Sequence, residues 1–92
     1  MTDEHLAALI AEAGAKKGAE GWMELPEGRH ITLYVSAKGT GMSVSRIGAL
    51  RANGALVRLR TVKDEIYVLA LEDIYAGSVD APQQSARKAG FV

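Results

Sequence analysis

Arg58 and Arg60 stand two positions apart in LVRLRTVKDEIYVLA, residues 56–70, a stretch that otherwise reads as pleated strand. Side chains alternate across a strand, so both guanidiniums lie on one side. With Arg51 on the preceding strand and Tyr67 on the following one, they make a cluster suited to an anion. Guanidinium forks match phosphate oxygens, and arginine planes and aromatic rings stack on bases. Arg46 and Lys38 extend the same basic run. The competing reading is a solvated face whose charges are met by Glu65, Glu72 and Asp73.

The run is long. Residues 28–63 carry seven bases and no acid, residues 1–27 are net −4, and residues 64–80 are net −5, so a formally neutral chain is strongly segregated. Segregation along the chain suggests segregation in space, and the simplest reading is that acidic and basic segments pair with each other or with those of another copy of the chain.

Other chemistry is poorly supplied. His5 and His30 lack a metal-ligand spacing, and Ser36, Ser43 and Ser45 lack an evident base. Glu24 and Glu27 lie in a linker with nothing to mark them as an acid–base pair. SAKGTGMS (36–43) is glycine-rich, but a strand rather than a helix follows it, so it reads as a hairpin loop and not a phosphate loop. The expectation is a non-catalytic module with no cofactor and no metal. The absence of cysteine excludes a disulfide scaffold or thiolate site. No apolar run approaches a membrane span, and the acidic opening MTDEHLAAL is unlike a secretory signal, so the expected setting is cytoplasmic, away from membranes.

Ninety-two residues make one domain, 1–92. Leu6, Leu9, Ile10 and Ala13 follow helical spacing, which predicts an amphipathic helix over 3–17, capped by Thr2 or Asp3 and stopped by Gly18. Residues 18–29 read as a linker anchored by Trp22. Residues 30–79 read as an antiparallel sheet of four or five strands, starting with HITLYVS and including a long strand, 42–52, that Gly48 bends or bulges. Residues 80–92 read as a tail or a short helix.

Two turns fix the expected faces. A two-residue turn at Asn53-Gly54 sets Leu50 opposite Val57, and one at Lys63-Asp64 sets Leu59 opposite Val68. The core face then collects Leu50, Val57, Leu59, Ile66 and Val68. The outer face collects Arg51, Arg58, Arg60, Tyr67 and Leu69, with Arg60 across from Tyr67 for a cation–π contact. Ile47, Leu56, Leu69 and Leu71 add more apolar area than a solvated face needs and suit a contact with a protein partner or a second copy.

A helix followed by about five short, bent antiparallel strands resembles the element order of Sm-like domains. That resemblance implies an SH3-like or Sm-like small barrel, and ring formation and RNA binding as family properties. SVSRIG (43–48) ends like the cyclic-dinucleotide motif of PilZ domains, but it has Ser43 where that motif carries an acid or amide and lacks an upstream arginine pair. The functional expectation is a module that binds an anionic partner, nucleic acid or a phosphorylated ligand, on its basic face. The alternative is a protein-interaction or homo-oligomerising domain using the apolar part of that face.

Overall fold

The computed structural model describes residues 1–80, an α+β arrangement of one helix on an antiparallel sheet. Helix α1 runs Asp3–Glu12, and the Thr2 hydroxyl caps it by accepting from the His5 N–H. It ends five residues before the expected limit. Gly14 takes a left-handed φ of 74°, and the N–H groups of Gly14 and Ala15 return to the carbonyls of Ala11 and Ile10. That pair of bonds is the Schellman closure, so Gly14 rather than Gly18 stops the helix. Lys16 and Lys17 consequently leave it and form a two-residue strand, β1, against β2 (Met23–Glu24). The expected linker thus holds a small hairpin whose second strand joins β4 (Thr40–Asn53).

The main sheet runs β7 (Ile74–Asp80), β3 (His30–Ala37), β4, β5 (Leu56–Thr61), β6 (Ile66–Ala70). β4 is long because it serves three partners: its first half pairs with β3, and its second half pairs with β5 on one edge and with the short β2 on the other. The change of partner falls at Ile47, which has Ile31 on one side and Thr61 on the other. Register shifts flank it at Ser45–Arg46 and at Gly48, the glycine whose position in the strand pointed to a bend. The sheet is not closed into a barrel. Among the described residues β6 pairs only with β5 and β7 only with β3, so both stand there as edge strands.

The core is built from Ile31, Leu33, Ile47, Leu50, Val57, Leu59 and Ile74, all fully buried, with Leu6 of the helix and Ala13, its C-cap residue, laid against them. Helix and sheet meet closely at Gly77, where an added Cβ would lie 2.5 Å from a methyl of Leu9. Among the described residues no helix is long and apolar enough to cross a membrane. Apart from Asp80, which ends β7, the segment read as a tail or short helix lies outside the described residues.

The two hairpins depart from expectation in different ways. The β4–β5 loop is Gly54–Ala55, one residue later than Asn53-Gly54, with Gly54 at φ 65°. Leu50 therefore meets Leu59 rather than Val57, a slip of two that keeps Leu50, Val57 and Leu59 on the core face and Arg51, Arg58 and Arg60 on the outer one. The β5–β6 turn has three residues, Val62–Asp64, inside a closing pair in which the Thr61 N–H donates to the Glu65 carbonyl; Asp64 is at φ 64°, and the Thr61 hydroxyl accepts from the N–H groups of Lys63 and Glu65 at 3.2 Å. That loop slips β6 by one residue and turns it over. Tyr67 and Leu69 now pair with Leu59 and Val57 and pack on the core. Ile66 and Val68 are 54% and 53% exposed, opposite Arg60 and Arg58.

Candidate nucleic-acid interface

β4, β5 and β6 present one outer face in three rows: Ala49, Arg60 and Ile66; Arg51, Arg58 and Val68; Asn53, Leu56 and Ala70. Arg51 and Arg58 are direct cross-strand partners, both half-buried. Like charges in that position repel, and neither has a carboxylate within 4 Å among the described residues. Residues 81–92 of the sequence contain no Asp or Glu.

Arg60 is differently placed. Its guanidinium carbon lies 4.9 Å from the centre of the Trp22 ring, and Nη2 lies 3.7 Å from Glu24 Oε2. The expected partner, Tyr67, is on the other side of the sheet, so the cation–π contact goes to Trp22 instead. Trp22 is half-buried beneath Arg60 as well as closing the β1–β2 turn, where its carbonyl accepts from the Gly18 N–H. Two-residue strands carry almost no pattern, so nothing in the sequence placed Trp22 and Glu24 beside β5.

The expected anion set therefore divides into three places. Arg51, Arg58 and the engaged Arg60 share the outer face. Lys38 is exposed at the tip of the β3–β4 turn, at φ 53° beside Gly39 at φ 82°. Arg46 and Tyr67 line a separate cleft of about 360 Å³ between the first half of β4 and the β5–β6 loop. The expected apolar contact also changes. Ile47 is fully buried, Leu71 is nearly so, and Leu69 packs against the core, so of the four only Leu56, 42% exposed, lies open on the outer face. Their place is taken by Ile66 and Val68, which the one-residue slip brings out beside the arginines.

Among the described residues no three His, Asp or Glu side chains gather to hold a metal ion. Chemically, the face offers two guanidiniums, with no carboxylate within 4 Å among the described residues, for charge-assisted hydrogen bonds, bordered by apolar side chains that can rest against a base or an aliphatic group. Compared with known proteins, the chain matches no family model, and no curated protein or solved structure matches it either.

Proposed function

We propose that the chain is a non-catalytic binding module whose outer sheet face engages an anionic partner, with single-stranded nucleic acid the first to test. One observation carries this reading: Arg51 and Arg58 are direct cross-strand partners on β4 and β5, with no acid within 4 Å among the described residues to neutralise them. A phosphate between them would turn repulsion into two charge-assisted bonds, a gain the free protein lacks. Ile66, Val68 and Leu56 add apolar surface on which bases can rest. Labelled single-stranded RNA titrated with the protein should show saturable anisotropy that Arg51→Ala plus Arg58→Ala abolishes or strongly weakens. Unchanged binding by the double variant overturns the assignment.

The reading includes an SH3-like or Sm-like fold. The order of helix, five main strands and a bent β4, with a single 3₁₀ turn (Leu71–Asp73) before the last strand, supports it. The open sheet departs from a closed barrel.

A second reading rests on the edge of β6. The bonds Thr61 N–H to Glu65 C=O and Leu71 N–H to Ala55 C=O set the alternation of the hairpin. Ile66, Val68 and Ala70 then turn their backbone groups away from β5. Residues 66–70 contain no charge and no proline, the devices that usually protect an edge. A protein partner adding a strand there would explain the exposed Ile66 and Val68. It predicts a solution mass above the monomer, or a complex, that Val68→Asp dissolves; a monomer at all concentrations that captures no strand counts against it.

A further inference from the structure

Of the non-glycine residues with positive φ among those described, Glu20, Lys38 and Asp64 lie in turns, while Arg46 lies inside a strand. It takes φ 56° at the bulge where β4 has two residues, Ser45 and Arg46, against the single Thr32 of β3. The left-handed position of such a bulge favours glycine, and a long side chain there costs backbone energy that glycine would avoid. Strain of this kind is a pointer to function where the side chain reaches something useful. Arg46 does: it lines the cleft of about 360 Å³ together with Ser43, Ser45, Lys63, Glu65 and Tyr67.

The cleft is held from both walls. The Val62 N–H donates to the Arg46 carbonyl at 2.9 Å, tying the bulge to the β5–β6 loop. The buried Thr61 hydroxyl accepts from the Lys63 and Glu65 N–H groups and fixes the loop that carries both charges. Its volume falls in the range of small-ligand sites, about 300–1,000 Å³. Two cations and two serine hydroxyls suit a phosphate group, whereas an aromatic wall and a lone carboxylate do not. Tyr67 suits a planar ring, and Glu65 suits an amino group donating to it.

We propose that this cleft is a second binding site, for a nucleoside monophosphate whose base bears an exocyclic amino group. Arg46 and Lys63 hold the phosphate, Ser43 and Ser45 donate to its oxygens, Tyr67 backs the base, and Glu65 accepts from the amino group. The site shares no residue with the Arg51–Arg58 face, so either can fail alone.

The test is a titration of the isotopically labelled full chain with adenosine monophosphate, followed by amide chemical shifts. Saturable shifts are expected at residues 43–46 and 61–67. Uridine monophosphate, which sets a carbonyl against Glu65, should bind more weakly, and adenosine and ribose 5-phosphate more weakly still. Arg46→Gly removes the guanidinium while giving the bulge the residue its backbone favours, so the variant folds, and its affinity should fall about tenfold or more. Lys63→Ala, at an exposed loop position, should act in the same direction. Absence of saturable shifts, shifts confined to Arg51 and Arg58, or full affinity in Arg46→Gly overturns the site. Adenosine binding as tightly as the nucleotide overturns the phosphate contacts, and ribose 5-phosphate doing so overturns the roles of Tyr67 and Glu65.

Discussion

Arg60 and Arg58 lie two residues apart on one face of β5, yet their surroundings assign them opposite energetic roles. Arg60 rests on Trp22 and reaches Glu24, but its side chain is 37% exposed and that of Glu24 is 52% exposed, so solvent screens the pair. The stacking is worth about 0.5–1 kcal/mol and the ion pair no more than that. Arg60→Ala should therefore lower stability by about 1 kcal/mol in urea denaturation and alter the Trp22 emission, while Glu24→Gln alone should cost less. Arg58 faces Arg51 instead. Replacing Arg58 with Thr removes a like-charge pair and adds a good strand former, so stability should rise by about 0.2–1 kcal/mol even as anion binding falls. A less stable Arg58→Thr variant would mean that an attractive partner holds Arg58.

At the scale of elements, loop length decides the outcome. The alternation of β3 and the apolar stripe of α1 are visible in sequence because their periods are fixed by backbone geometry: Ile31, Leu33 and Val35 are buried as the pattern indicates. The face of β6 has no such internal guide. IYVLA is apolar at nearly every position, so only the preceding loop says which residues turn inward, and two residues or three give opposite answers. The signal for three was present in Thr61 and Asp64, a hydroxyl able to fold back on the loop and a residue that tolerates left-handed φ. Lysine scanning checks the register directly. Val68→Lys should stay within about 0.5 kcal/mol of wild type, as exposed positions do, whereas Leu69→Lys should cost about 2–4 kcal/mol by burying a charge at the core. The reverse order would restore the two-residue turn. The helix–sheet contact has its own test at Gly77. An alanine Cβ there meets the Leu9 and Leu33 methyls at 2.5 and 3.0 Å, so Gly77→Ala should destabilise by about 1–3 kcal/mol. Leu9→Ala in the same chain should recover part of that stability if Leu9 is the obstruction.

Across the whole molecule, the charge segregation of the sequence becomes a division of labour only in part. The acid-free stretch 28–63 supplies β3, β4 and β5, and the two bends in β4 distribute its bases rather than pooling them. The outer face receives Arg51, Arg58 and Arg60, the cleft receives Arg46 and Lys63, Lys38 stands alone at a turn, and Arg29 donates to the Ala13 carbonyl at the helix end. Sequence showed that the charge was concentrated; it could not show this partition, because a bulge redirects side chains without any change in composition. The central claim is that Arg51 and Arg58 meet phosphates together, and its most direct measurement is the salt dependence of binding to single-stranded RNA. Removing one phosphate-bound guanidinium should flatten the slope of log affinity against log salt by about 0.7. The wild-type chain should bind with a steep slope, and Arg51→Ala plus Arg58→Ala should bind more weakly with a slope flatter by about 1.4, for two guanidiniums. Equal slopes in the two proteins, or no binding by the wild type at low salt, would contradict the claim.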